Sequence, residues 1–310
     1  MINQLKNSFN KLPVNIRGGL WMVFAGVFFT FLGVMIRMAN KEVHLLEIVF
    51  FRYFISLLIM APWMMRRGLS GLQGKNYPLL LARSFSSYLG AMLWFASIIF
   101  LPLAEATALG YTTPLFATLG AVLFLGEVVR KRRWWALFAG MLGTLIILRP
   151  GFEVITLPAL YAIGGAVFIA ISALLVKVLN RTDTPDTIVL YMGMFSAPLS
   201  LVAALFVWIT PSLETLLWLI GIGLFSTIAH LAYTRAFAIA DASAVLPYDY
   251  IRLLMVAAVG YGFYDEIPDI WTWAGACVII GSAFYIARRE TIAARQNKAA
   301  ANPSTSTPLQ

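Results

Sequence analysis

Runs of about 20 predominantly apolar residues recur along the whole chain, each long enough to cross the hydrocarbon core of a bilayer as a helix. They are placed near 17–39, 45–65, 78–100, 104–126 and 133–149, and again near 158–179, 187–209, 213–236, 243–264 and 269–287. Lipid offers no partner for backbone N–H and C=O groups, so such segments must satisfy themselves as helices. The predicted fold class is an all-α integral membrane protein with ten transmembrane helices. Charged residues make up 12% of the chain and hydrophobic residues 60%, against roughly 25% charged in soluble domains. The first run follows Lys6, Lys11 and Arg17 as a signal peptide would. It is nevertheless too long, without a clear small-residue cleavage site, and reads as the first span.

Residue counts remove several chemistries. One cysteine, Cys277, excludes an intramolecular disulfide, and two histidines, His44 and His230, give no metal-ligand spacing, so no metal or cofactor is expected. The net charge of +9 could suggest nucleic acid, but the basic residues lie between apolar runs and form no basic-aromatic domain. They report topology instead. With the N-terminus inside, sixteen Lys and Arg fall on cytoplasmic segments and three, Arg37, Lys41 and Arg149, on external ones. The bias predicts a multi-pass protein of a bacterial-type inner membrane with both termini cytoplasmic. The polar, Pro/Ser/Thr-rich end of the chain, 290–310, is expected to be a disordered cytoplasmic tail.

The chain also matches itself. Leu20, Val27, Phe28 and Asn40 recur as Leu160, Val167, Phe168 and Asn180 at a lag of 140, and Glu127 and Trp135 recur as Glu266 and Trp273 at 139 and 138. A duplicated five-span unit must insert its second copy upside down, because five is odd. The loop "EVVRKRRWW" after the fourth span is accordingly basic, and its counterpart "DEIPDIWTW" after the ninth is acidic. The predicted organisation is an N-terminal segment 1–16, a first repeat 17–149, a linker 150–157 and a second repeat 158–289 before the tail. Two inverted repeats around a central cavity can rock to expose a midplane site to either side.

The stretch "RSFSSYLGAMLWFASIIFLPLAEATALGYTTPLFATLGAVLFLGEVVRKRRWWALFAGMLGTLIILRPG" and its partner "YTRAFAIADASAVLPYDYIRLLMVAAVGYGFYDEIPDIWTWAGACVIIGSAFYIARRE" carry a family pattern. The sequence closely resembles the drug/metabolite transporter superfamily, in its ten-helix EamA-type branch, over nearly all of the chain but the termini. The resemblance implies a helical basket whose fifth and tenth spans are peripheral. It implies secondary carriers of metabolites such as amino acids, nucleotide-related compounds, riboflavin or S-adenosylmethionine. In keeping with that, there is no GxxxxGK[ST] loop to cradle a nucleotide.

Charges inside spans are costly and rank by depth. Arg235 and Arg83 lie close enough to a cytoplasmic end to reach headgroups and are expected to anchor there. Arg252 lies near the midplane and Arg52 about 10 Å from an outer end. Asp249 is three residues from Arg252, on the same helical face. The pair could simply neutralise itself, or it could recognise a solute. Pro247 favours the second reading, because a missing donor there should kink or unwind the ninth span beside the pair. At the same lag the first repeat offers Gly110, Thr113 and Pro114, permissive backbone without charge. A guanidinium suits carboxylate or phosphate, so the expected site comprises Arg252, Asp249 and Arg52. Tyr250, Tyr248, Tyr111, Tyr88, Trp94 and Tyr233 are aromatic candidates for stacking or hydrogen bonding. Asp249 and His230 are candidate proton carriers. Glu105 and Asp241 are read as helix caps.

The expected function is a secondary active transporter moving a small polar organic metabolite, anionic or zwitterionic, by alternating access, with proton coupling as a further expectation. Its partners are that solute and membrane lipids, not nucleic acid, and its state is a monomer or a weak homodimer through the fifth and tenth spans. The competing class is a membrane-embedded enzyme acting on a lipid or isoprenoid. Its clustered acids or histidines at the membrane face are missing from the short basic cytoplasmic loops. A non-transporting scaffold is the third possibility.

Overall fold

A computed structural model describes residues 12–67, 74–101, 103–110, 112–126, 131–148 and 156–264, with parts of 270–285. Eleven α-helices and one short 3₁₀ segment are found among the described residues: α1 (Val14–Ala39), α2 (Leu45–Arg67), α3 (Tyr77–Phe100), α4 (Leu103–Gly110), α5 (Thr113–Leu125) and α6 (Lys131–Leu148) come first. Then follow α7 (Leu157–Leu179), α8 (Pro185–Leu205), α9 (Leu213–Ile239), α10 (Ala242–Val245), the 3₁₀ segment Leu246–Tyr250 and α11 (Ile251–Tyr264). Six of them, α1, α2, α3, α7, α8 and α9, are long and apolar enough to cross a membrane. The chain is a multi-pass, all-helical membrane protein. The expected tenth span, the C-terminal tail, Tyr111, Glu127 and Glu266 lie wholly or largely outside the described residues.

Two expected spans differ from the reading above. The fourth, expected as one helix over 104–126, is two, with α4 ending at Gly110 and α5 starting at Thr113. The ninth, expected over 243–264, is α10, the 3₁₀ turn and α11 in succession. In the second case Pro247 stands inside the 3₁₀ segment, where its missing N–H removes an α-type hydrogen bond. Both interruptions fall at matching positions of the two halves.

Helix starts are set locally. The side chains of Asn76, Thr184 and Ser212 accept the N–H of Leu79, Thr187 and Thr215, and so cap α3, α8 and α9. Pro78, Pro158 and Pro185 occupy first-turn positions where a missing N–H costs nothing. At the far end of α5, Gly126 closes the helix at φ +65°, the left-handed cap that favours glycine.

Packing follows the internal match. Gly26, Thr30, Leu32, Ile36 and Ala39 are buried on α1, and the residues 140 further on, Ala166, Ala170, Ser172, Val176 and Leu179, are buried on α7. The extensive helix pairs are α1 with α9, α3 with α7, and α2 with α8, and α5 against α7 is matched by α11 against α1. Exchanging the two halves turns this set of pairs into itself. At the α3–α7 crossing a Cβ on Gly165 would stand 3.1 Å from the Trp94 backbone nitrogen, a tight fit that glycine relieves.

Two loops tie the halves to one another. Between α1 and α2, the Glu42 carboxylate accepts the Ser212 N–H at 2.7 Å, the Ser212 hydroxyl at 2.6 Å and the Thr215 hydroxyl, all at the start of α9. Between α7 and α8, Asp183 Oδ1 accepts the Lys75 N–H at 2.8 Å, just ahead of α3. Glu47 adds to the first tie by accepting the Ile209 N–H at 3.1 Å.

Candidate functional site

The interrupted helices meet at a cavity of about 100 Å³, room for several waters. Gly110 and Thr113 line it from one interruption, and Leu246, Asp249 and Arg252 from the other. Helices α1, α2, α3, α7 and α9 complete the wall, through residues that include Phe29, Arg52, Arg83, Ser87, Trp94, Phe95, Ser172, His230 and Tyr233. The described lining holds three guanidiniums, one carboxylate and one imidazole.

Arg252 and Asp249 are paired, with Nη2 and Oδ2 3.2 Å apart and each side chain 16% exposed. The pair straddles the junction of the 3₁₀ turn and α11, and three residues per 3₁₀ turn bring positions i and i+3 onto one line. The Arg252 guanidinium lies over the Phe29 ring at 5.7 Å. Gly26 of α1 faces its stem, and a Cβ there would stand 3.4 Å from Arg252 Cβ.

Arg52, deep in α2, is held by neutral groups alone among its recorded contacts. Its Nε donates to Ser226 Oγ at 2.7 Å, its Nη1 to the Tyr53 hydroxyl at 3.3 Å, and its Nη2 lies 2.6 Å from His230 Nε2. The Tyr53 and Phe95 rings stack on the guanidinium at 4.7 and 5.4 Å. Arginine only donates, so His230 Nε2 must accept, which places the imidazole proton on Nδ1. That Nδ1 is buried with no hydrogen-bond partner. Phe29 and Tyr233 pack edge-on against the same imidazole.

Arg83 overturns its expected place. A long side chain two turns into α3 should reach headgroups, yet Arg83 is 1% exposed and lines the cavity. The reason is rotational: it sits on the face of α3 turned toward the other helices, one turn from Ser87 and on the same stripe as Trp94. Its Nε and Nη1 are buried without hydrogen-bond partners. Arg235, by contrast, stays near an end and pairs with Asp186 at 3.1 Å while covering Trp21. Asp241 precedes α10 and supplies its carbonyl to the N–H groups of Ala244 and Val245, with a carboxylate oxygen 3.8 Å from Lys177.

The aromatic candidates divide. Trp94 and Tyr233 line the cavity. Tyr88, Tyr248 and Tyr250 do not. Tyr88 is buried beside Tyr53 with ring centroids 6.5 Å apart, and the Tyr248 ring lies where a Cβ on Gly19 would be, 2.6 Å away. Tyr250 covers Gly140 in the same way and donates its hydroxyl to the Leu137 carbonyl at 3.4 Å. Tyr111 lies outside the described residues. Phe29, Phe95, Ser87 and Arg83 are among the lining residues that the sequence reading left out. The signal for the last two was the polar face "RSFSS" of α3, read at four-residue spacing. No group of three His, Cys, Asp or Glu side chains suited to a metal ion occurs among the described residues.

Known proteins share this architecture. A riboflavin transporter of Vibrio cholerae serotype O1 is 32% identical over 91% of this chain and 97% of its own. An S-adenosylmethionine uptake transporter of Rickettsia bellii is 28% identical over 82% and 87%. A solved structure, described only as "Crystal structure of protein", superposes with a TM-score of 0.74 over 88% of this chain and 98% of its own, at 18% identity, which is a likeness of fold. The EamA-like transporter family matches residues 16–149 and again 156–288. Two adjoining matches that take in both interrupted helices and every described wall of the cavity account for nearly the whole sequence, and the chain belongs to the EamA-like transporter family.

Proposed function

We propose that this protein is a secondary active transporter that carries a small polar organic metabolite, anionic or zwitterionic, through the cavity by alternating access. The observation that carries the reading is the meeting of two interrupted helices at a cavity lined, among the described residues, by Arg52, Arg83 and Arg252 against the one carboxylate of Asp249. Irregular backbone at such depth is tolerated where it faces protein or water, and discontinuous helices are a recurrent way of building carrier sites. Phe29, Trp94, Phe95 and Tyr233 give the same space an aromatic wall for a flat ring.

The double family match, the exchange symmetry of the helix pairs and the burial pattern repeated at a lag of 140 support two inverted repeats as the moving halves. The distribution of basic residues supports a cytoplasmic location for both termini. Asp249 is the group proposed to carry a coupling proton. The exposed apolar face of α6, with Trp135 and Leu142, suits lipid or a second copy.

Among the relatives' solutes, riboflavin offers a flat ring rich in acceptor oxygens, while S-adenosylmethionine brings a sulfonium that three guanidiniums oppose. Riboflavin and its anionic phosphate ester are therefore the first solutes to test. Purified protein in proteoliposomes should accumulate labelled riboflavin or its acid-bearing derivative more than tenfold over empty vesicles, and an imposed pH gradient should change the rate. Failure of both flavins and of a broad metabolite panel to enter would overturn the carrier reading.

A further inference from the structure

We propose that Arg83 is the anchor for an oxyanion on the transported solute, a carboxylate or phosphate group carried at one end of a molecule whose ring lies against Trp94; this rests on the carrier reading above. The three arginines of the cavity are not equivalent. Arg252 has Asp249 as its counter-ion, and Arg52 is engaged by Ser226, Tyr53 and His230. Arg83 forms no salt bridge among the described residues, is 1% exposed, and keeps Nε and Nη1 without partners.

Burying a guanidinium is costly unless acceptors meet it, and no acceptor among the described residues meets Nε or Nη1 of Arg83. It cannot be excused as an anchor to headgroups, because its charged end is enclosed. Packing alone does not call for it either, since an apolar side chain of similar size would fill the space without a charge. What suits it is a ligand with acceptor oxygens and negative charge. Arg52 close by adds a second positive charge that its own neutral partners leave uncompensated.

The stripe to which Arg83 belongs orients the ligand. Arg83, Ser87, Ala91 and Trp94 follow one another at spacings of four, four and three along α3, and all four line the cavity. At about 1.5 Å rise per residue the guanidinium end and the indole end start about 16 Å apart along the helix. Ser87 offers a hydroxyl between them and Ala91 leaves room. Beyond the indole lies Gly110 at the end of α4, where even an added Cβ would stand in ordinary contact with Trp94 Nε1 at 3.6 Å. The site reads as acid, hydroxyl, ring, which describes an elongated solute with a flat heteroaromatic head and an acidic tail.

The test separates this inference from the carrier reading. Proteoliposomes holding the full chain are given a mixture of cationic, neutral, zwitterionic and anionic metabolites, with riboflavin and flavin mononucleotide as a matched pair that differs only in the phosphate. Uptake and retention are read by mass spectrometry. The expected result is that solutes bearing a carboxylate or phosphate accumulate most, with the phosphorylated flavin preferred over riboflavin by at least tenfold. Arg83→Gln should erase that preference, and Arg83→Lys should restore part of it. Elution as a single folded species, with neutral-ring binding retained, marks Arg83→Gln as intact. Riboflavin accumulating as well as flavin mononucleotide, or an undiminished preference in Arg83→Gln, overturns the anchor while leaving a carrier. Absence of flux for every solute overturns both.

Discussion

Arg52 Nη2 and His230 Nε2 stand 2.6 Å apart, joining α2 to α9 through a bond in which the imidazole can only accept. Replacing His230 by alanine leaves a buried guanidinium N–H unserved and should destabilise the protein by about 1–3 kcal/mol. His230→Gln retains an acceptor and should recover at least half of the loss, as read by thermal unfolding in detergent. The same geometry makes His230 a poor proton carrier, since a proton on Nε2 would break the bond to Arg52. Uptake by His230→Gln should therefore keep the pH profile of the parent protein, and loss of that profile would return His230 to the relay.

Asp249 and Arg252 are predicted to matter for transport more than for folding. Asp249→Asn and Arg252→Gln should each reduce uptake at least tenfold. The double variant, which carries neither charge, should unfold at a higher temperature than either single variant because it leaves no lone ion in the cavity. Recovery of stability without recovery of uptake is the expected pattern in parallel unfolding and flux measurements. Near-normal uptake by both single variants would confine the pair to bracing the helix.

Tyr250 gives a contrasting case. Its ring fills the space over Gly140, and its hydroxyl donates a long bond to the Leu137 carbonyl. Tyr250→Phe should leave uptake within twofold of the parent. Tyr250→Ala should cost about 3–5 kcal/mol through the cavity it opens, and Gly140→Val about 1–3 kcal/mol or more through overpacking. A large uptake defect in Tyr250→Phe with normal thermal stability would place the hydroxyl on the solute.

Acid should loosen the Glu42 tie. The Ser212 hydroxyl, with the Thr215 hydroxyl and the Ser212 N–H, holds the Glu42 carboxyl below its ordinary range. A group depressed in the folded state stabilises it above the unfolded pKa, about 4.3 for glutamate, and that contribution disappears as pH falls through the lower folded value. Unfolding temperature should thus fall on acidification below about pH 4.5, and Glu42→Gln should flatten that part of the curve. An unchanged slope in Glu42→Gln would assign the acid sensitivity to other carboxylates.

Much of this was legible in the amino-acid order. The long apolar runs gave α1, α2, α3, α7, α8 and α9 to within a few residues, and Pro247 announced the unwinding beside Asp249 and Arg252. Depth arithmetic served Arg252 and Arg235 but misplaced Arg83, because distance from a helix end says nothing about which side of the helix a residue occupies. Tyr88, Tyr248 and Tyr250 fall outside the lining, unlike Tyr233, because of rotation as well: Tyr88 is one residue past Ser87, and that rotation of roughly 100° takes it out of the cavity. Tyr248 and Tyr250 sit in a 3₁₀ turn, where each residue advances by about 120° and an α-helical projection misassigns the faces. The bonds from Arg52 to Ser226 and His230 bridge 174 and 178 positions of sequence, and no local pattern encodes them.

The ties at Glu42 and Asp183 lash each opening hairpin, α1–α2 or α7–α8, to the third long helix of the opposite half, α9 or α3. Each trio is thereby yoked at its rim. A displacement that kept both lashings whole would have to be absorbed elsewhere, and the frayed junctions at Gly110 and at Leu246–Tyr250 are where the chain has the slack to absorb it.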